Sequence, residues 1–564
     1  MEGSKWNRIG KLFSLYRGLR PWYVLRWSLR KLGRSLFLPQ EYGGTSYKRR
    51  GLSDGNREVG RVDSTLSVGK PRTWGSGPQE SARLGLNYWM NTQRGVYKMG
   101  AELSRIASKA TRDRKCKFTS LVHLVNEKNL RQSFGRLKAN KASGVDGMTK
   151  EVYGQGLDDR IKDLFQRLKT KTYRTKPVRR VYIPKAGSSE KRGLGIPAFE
   201  DKIVQMNVKG ILESIFEVDF LDCSYGFRPG RGCHDAIKAL NQCVMKKPIN
   251  YVVEVDIRKF FDHVRRGWMM RCLQERIIDP NLLELIEGML KAGVMEAGEV
   301  ISSEQGTHQG NVISPVLSNI YLHYVLDLWF EKAFKPKGKG YMQMIRYCDD
   351  FVACFEGEQD AKEFLNQLQA RFEKFGLSIA EEKTGLVKFG RKEWALANKQ
   401  GRRSATFQFL GFTHYGHRSP KGYWVMGHKT SKTNLSRKLK EITGFAKGAR
   451  SRLPLKEWWP LLKSKVAGHI NYFGVSGNYR CLQQFIWRVT EIVFKWINRR
   501  SQKKSMNWEQ YRRFLGFNPL PQARISHSYI KVDQKLYCEG FLEELCEGKP
   551  HAQFCRGDHS VELY

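Results

Sequence analysis

The chain has 564 residues, 40% of them hydrophobic and 12% aromatic, which excludes a disordered or fibrous polypeptide and allows roughly two to four domains. Lys and Arg number 99 against 55 Asp and Glu, a formal charge of +44 spread along the chain, and so large a charge calls for a polyanion, nucleic acid first. Eleven cysteines without paired spacing point to reduced thiols and an intracellular setting, and no apolar run approaches a membrane span.

In chain order, the first segment has no acid between Glu2 and Glu41 and reads as a basic, RNA-contacting extension, with a transit peptide or an interfacial helix as alternatives. Residues 38–85 are rich in Gly, Ser and Arg, lack an apolar period and read as linker; a true start downstream, at Met90 or Met99, is the preferred expectation over a lineage-specific arm. Helical spacing begins near Gly100 with Leu103 and Ile106, then Phe118, Leu121, Leu124, Val125 and Leu130. VRRVYI (178–183) alternates as a strand, and Pro184 and Gly187 to Ser189 end it in a turn. Residues 202–218 read as a helix, NYVVEVDI (250–257) as a buried strand, and 313–330 as a long helix opened by Ser314-Pro315. RYCDDFVACF (346–355) reads as strand, turn, strand; an amphipathic helix over 360–376 and short strands through Phe407–Tyr415 follow. From Thr430 the chain turns helical and basic, with 19 Lys and Arg against 4 acids over 431–515 and interleaved Trp458, Trp459, Tyr472, Phe473, Phe485, Trp487, Phe494 and Trp496. Basic helices with buried aromatics suit a grip on a duplex backbone, although any one of these cations reads equally as a solvated face.

Asp349 and Asp350 alone would read as a solvated hairpin turn. Asp256 ends the strand 250–257, and if the two strands are neighbours, three carboxylates meet at one rim. Hard oxygen donors of this kind suit Mg²⁺. Two such ions activate a 3′-hydroxyl and stabilise a leaving pyrophosphate.

The ordered blocks KANKASGVDGM (138–148), VYIPKAGSSEKRGLGIP (181–197), SYGFRPGRGCHDA (224–236), VDIRKFFDHV (255–264), GTHQGNVISPVLSNIYL (306–322), IRYCDDF (345–351), LSIAEEKT (377–384) and FLGF (409–412) resemble the group II intron-encoded reverse transcriptases and maturases, over roughly residues 98–515. The resemblance implies an α+β right-hand polymerase, fingers and palm with antiparallel sheet over 98–428, and an all-α thumb or maturase domain over 429–515. A partly disordered extension (1–97) would precede it and a short tail (516–564) follow. It implies RNA-directed DNA polymerisation by two Mg²⁺ ions, with Mn²⁺ as a substitute, and binding of the host intron RNA for splicing and mobility. The partners would be that RNA, an RNA template with DNA primer, target DNA and deoxynucleotides, with no membrane. The setting would be the bacterial cytoplasm near the nucleoid, or a mitochondrial or plastid matrix. The alternatives are a domesticated relative in DNA repair or phage defence, and a splicing cofactor that does not polymerise.

Residue by residue, the resemblance implies that Asp256 and Asp349 bind the metals with Asp350 in support. Phe261 would gate the ribose 2′-hydroxyl, and Phe260 beside it reads as core. Lys185 and Arg192 would hold the triphosphate, and Gln309 and Gly310 would lie against the nucleotide, Gly310 through close backbone approach. Lys383 would protonate pyrophosphate or else form a surface ion pair. Arg228 would touch template backbone or else brace its turn, and Gly411 lies in the block matching the primer grip. The chain departs from the family at Cys348, where Ala is usual, and at His308-Gln309-Gly310-Asn311, where Pro-Gln-Gly-Gly is usual. Cys348 is small enough to keep the strand geometry, and Asn311 places a Cβ beside the pocket. No paired Cys-x-x-Cys follows residue 515, and Cys538, Cys546, His551, Cys555 and His559 match no standard zinc spacing. The expectation is therefore a tail without an endonuclease and mobility that relies on a nicked target or a replication fork.

Overall fold

The computed structural model describes residues 100–184, 191–296, 299–301, 309–499 and 505–529. The extension over 1–97, Lys185, His308, residues 500–504 and the tail residues from Cys538 lie outside the described residues. Strands β1 (Val178–Pro184), β2 (Lys191–Ile196), β3 (Tyr251–Asp256), β4 (Val294–Glu296), β5 (Glu299–Ile301), β6 (Met342–Tyr347), β7 (Asp350–Phe355), β8 (Gly385–Lys388), β9 (Phe407–Phe409), β10 (Phe412–Arg418) and β11 (Trp424–Thr430) form three sheets. The helices that frame the site are α1 (Phe199–Phe216), α2 (Cys233–Lys246), α3 (Ser314–Leu322), α4 (Glu358–Lys374), α5 (Lys432–Arg452), α6 (Leu455–Phe473) and α7 (Tyr479–Ile497).

The central sheet runs β6-β7-β3-β8 and is antiparallel throughout. Its inner strands are apolar on both faces because both faces are covered. Val253, Val255, Phe351, Ala353 and Phe355 enter one core with α3 and α4, whereas Val252, Val352, Cys354 and Ile345 enter a second with Phe389, Phe407 and Trp424. Such strands read as continuous hydrophobic runs rather than as alternation. The sheet β2-β1-β4-β5 departs from the expected antiparallel form in one place, where β1 pairs with β4 in parallel through Val178 and Arg179. β2 was not anticipated, because KRGLGI carries two charges and two glycines and lacks a strand period.

The helix expected over 202–218 opens earlier, at Phe199, and buries residues around its circumference. The one expected over 313–330 is α-helical only to Leu322. It then widens into π-turns at His323–Asp327 and Phe330–Phe334. Ser431 caps α5 by accepting from the Asn434 N–H. Trp458, Trp459, Leu462, Val466, Phe485 and Val489 form the core of α5–α7, so most of the interleaved aromatics are structural. Trp487 is the exception, 54% exposed and covered by the Arg488 guanidinium at 4.8 Å. Among the described residues no helix is long and apolar enough to cross a membrane.

Candidate active site

β3 and β7 are neighbours, and their register sets Asp256 directly opposite Asp350. Residues paired across antiparallel strands project from the same face. Asp349 occupies the two-residue turn between β6 and β7, whose closing pair is Tyr347 and Asp350. The first turn residue, Cys348, holds φ +62°. A non-glycine residue there costs about 1–2 kcal/mol and persists only when its surroundings enforce it.

Two groups enforce it. Arg346, with no exposed surface, donates from one guanidinium nitrogen to the Cys348 carbonyl (2.9 Å) and to Asn319 Oδ1 (3.1 Å). Its other nitrogens reach both carboxylate oxygens of Asp327 (2.8 and 2.5 Å) and Ser224 Oγ (2.9 Å). Gly226 lies against the turn from the far side. A Cβ added to it would stand 2.3 Å from Cys348 Sγ and 2.5 Å from the Cys348 nitrogen, so no other residue fits. Burial and the neighbouring Asp349 push the Cys348 thiol up to about 12, which keeps it protonated and inert.

The carboxylates are poised against their own charge. Burial, then Asp349 and Asp256, push Asp350 up to about 7, against a backbone hydrogen bond from Leu410 that pulls it down. Burial raises Asp349 too, with Asp256 adding to the rise, while the Arg192 charge on the β1–β2 hairpin opposes it. Asp256 is ion-paired with Lys383, whose Nζ sits on its carboxylate. Among the described residues no three such side chains form a ready-made metal cluster. The donor set nonetheless fits a divalent cation, because hard oxygens that repel one another are held at a single rim.

The other expected residues occupy separate places in the fold. Phe260 is core, 2% exposed, and Phe261 is half-buried, edge-on to it at 5.3 Å. The Gln309 carbonyl accepts from the Gly195 N–H on β2 (2.8 Å), and Gly310 holds φ +116° with room for no Cβ, since one would lie 2.6 Å from the Gly195 oxygen. Gly310 thus approaches the β2 backbone closely. Asn311 is buried with a backbone outside the left-handed region, so the substitution was accommodated without a glycine-like φ.

Arg228 corrects the sequence expectation of a template contact. It is buried and pairs with Glu217 (2.8 Å). It also donates to the carbonyls of Leu221 (2.8 Å) and Ser224 (2.9 Å), which makes it the brace of its own turn. Leu410 and Gly411 form the turn between β9 and β10, both at positive φ (+48° and +81°). Sequence reasoning missed Arg346, Asp327 and Leu410. The only signal was the position of Arg346 within IRYCDDF, since a fully buried arginine has to be paired.

The family model for reverse transcriptase (RNA-dependent DNA polymerase) matches residues 183–414, the span holding all three acids, Arg192, Phe261, Gly310, Lys383 and Gly411. The group II intron-encoded protein LtrA of Lactococcus lactis subsp. cremoris is 33% identical over 269 residues, 46% of this chain and 45% of its own length. Protein YkfC of Escherichia coli (strain K12) is 31% identical over 296 residues, 47% of this chain and 77% of its own. The chain belongs to the group II intron-encoded reverse transcriptase and maturase family. Another relative, an uncharacterized 91 kDa protein in the cob intron of Schizosaccharomyces pombe, is 34% identical over 208 residues, 37% of this chain and 25% of its own. LtrA is thus matched over less than half its length. For this reverse transcriptase family member, the helices α5–α7 lie beyond the residues that the family model covers.

Proposed function

We propose that this chain is an RNA-directed DNA polymerase that extends a primer 3′-hydroxyl and also binds its host intron RNA to assist splicing and mobility. The observation that carries the reading is the register pairing Asp256 with Asp350, with Asp349 in the adjoining turn and Arg192 facing it from the fingers.

Asp256, Asp349 and Asp350 would hold divalent cations, Mg²⁺ by donor chemistry, and these when bound would supply activation of the 3′-hydroxyl and charge neutralisation at pyrophosphate. Arg192 would orient the triphosphate, with Lys185 in the same role by its place in the motif. Phe261 would exclude a 2′-hydroxyl by bulk. Lys383, already against Asp256, would hold a proton for the leaving group. Gln309 and Gly310 tie the nucleotide side of the palm to the hairpin carrying Arg192. Exposed Lys432, Arg437, Lys440 and Lys447 along α5 suit a duplex backbone or structured RNA.

Extension of oligo(dT) on poly(rA) with Mg²⁺ tests the reading. Wild type should extend, and Asp349→Asn should lose at least about a hundredfold in rate, as loss of a principal electrostatic group does. Equal extension by both, or none by wild type, overturns it.

A further inference from the structure

Helix α7 has two faces of opposite character. Phe485, Val489, Val493 and Ile497 are buried in the core shared with α5 and α6. On the far side Arg480, Gln484, Trp487, Arg488, Glu491 and Lys495 recur at helical spacing, three cations against one acid, and all but Glu491 are exposed. Trp487 stands in the middle of this stripe and joins none of the apolar cores among the described residues. Other rings of the same helix are covered. Phe494 stacks on Trp508 at 3.8 Å, and Trp496 lies against the Arg450 and Arg499 guanidinium groups at 5.0 and 5.6 Å.

A lone exposed apolar side chain needs no explanation in itself. Trp487 differs in being held. The Arg488 guanidinium lies over its ring at 4.8 Å, and Glu491 pairs with that guanidinium at 3.4 Å, so the indole is backed by a tethered cation. The residue nevertheless remains 54% exposed. A flat ring fixed in this way is a platform prepared for a second flat ring. The surrounding charge indicates whose ring. Arg480 and Lys495 lie about two turns to either side, so the phosphates flanking a stacked base would each meet a cation. A paired base keeps both faces within its own stack, and only an unpaired nucleotide can use the indole. The exposed cations of α5, Lys432, Arg437, Lys440 and Lys447, have no exposed aromatic residue among them and suit a backbone alone.

We propose that the outer face of α7 binds unpaired RNA, with Trp487 stacking on one exposed base and Arg480, Arg488 and Lys495 meeting the flanking phosphates. The inference rests on the RNA-binding part of the reading above and deepens it, since α5 would grip paired backbone while α7 takes a loop or single strand. Wild type, Trp487→Ala, Trp487→Phe and Trp487→Leu are compared by anisotropy with oligo(rU), whose bases are free to stack, and with a blunt RNA duplex of the same length. Trp487→Ala and Trp487→Leu should raise the oligo(rU) Kd about tenfold, the loss of one stacked base, and Trp487→Phe should raise it by no more than about threefold. The duplex Kd should stay within about twofold in all three. Salt separates ring from charge. Trp487→Ala should leave the logarithmic salt slope for oligo(rU) unchanged, whereas Arg480→Gln and Lys495→Gln should each flatten it by about 0.7. The melting temperature of RNA-free Trp487→Ala should stay within about two degrees of wild type, because the indole packs in no core.

No loss on oligo(rU), or an equal loss on oligo(rU) and duplex, overturns the inference. A leucine variant that binds as well as the phenylalanine variant overturns it too, because the contact would then be apolar and not a stack. A marked fall in the RNA-free melting temperature would assign the indole to a contact within the chain, and self-association of wild type lost in Trp487→Ala would assign the face to a second copy; either result overturns it. Failure of wild type to extend a primer overturns the polymerase reading alone, and the oligo(rU) titrations still decide the role of Trp487.

Discussion

Arg346 shows how a single side chain fixes the chemistry above it. Its guanidinium is wholly enclosed, and so is the Asp327 carboxylate that neutralises it. A buried pair of this kind adds little net stability over an apolar replacement, but breaking it by removing one partner is costly. Arg346→Lys keeps the charge and loses the planar fork, so the bonds to Cys348, Asn319 and Ser224 cannot all be remade. Urea denaturation should show a loss of about 1–3 kcal/mol, because buried acceptors are left without a donor. Primer extension of the protein that remains folded should fall as well, because the Cys348 carbonyl is no longer held. The meeting of the three acids was legible in the sequence, since Asp256 ends a strand that could neighbour the hairpin of Asp349 and Asp350, and the two strands are neighbours. Arg346 was legible only as part of a motif, because Asp327, Asn319 and Ser224 are brought to it by the fold. Of the two readings of Arg228 the brace of its own turn is the one found, because the turn in YGFRPG folds its arginine inward onto carbonyls from 217 to 224.

At the scale of elements, the turns and helix ends carry the information that sequence periodicity lacks. Gly310 is required twice over, by its φ and by the Gly195 oxygen. Gly147 has φ +62° with nothing near a built Cβ, and so isolates the backbone effect alone. Gly310→Ala should therefore destabilise more than Gly147→Ala, by about 1–3 kcal/mol in thermal unfolding. Gly310→Ala should also raise the deoxynucleotide KM, since β2 and Arg192 would shift, and Gly147→Ala should leave it unchanged. The helix after Ser314 was legible as apolar and helical but its widening was not, since an extra residue in a turn leaves the hydrophobic pattern nearly intact. The first wide turn ends on Asp327, the partner of Arg346, and π-turns of this kind gather at functional sites.

At the scale of the molecule, charge and fold divide the work. The strands around 250–257 and 346–355 and the helices after Thr430 were legible from sequence, because each has its own period and punctuation. The pairing of β1 with β4 and the two cores on either face of the central sheet were not legible, since they depend on contacts between segments more than a hundred residues apart. The +44 charge should appear as steep salt dependence. Affinity for an RNA–DNA duplex, followed by fluorescence anisotropy from 50 to 300 mM KCl, should fall linearly on logarithmic axes with a slope of about −0.9 per phosphate neutralised. Lys432→Glu and Arg437→Glu should each flatten that slope by about one such unit while leaving the melting temperature within a degree or two.

The contact between Gly226 and Cys348 has an evolutionary consequence. Two positions more than a hundred residues apart share one small volume, so neither can drift alone. With glycine at 226, position 348 is confined to side chains about the size of alanine, serine or cysteine, and the cysteine here is one permitted step within that set. A lineage that enlarged either residue would have to displace the turn bearing Asp349, so the pair should vary together or stay small across descendants of this sequence.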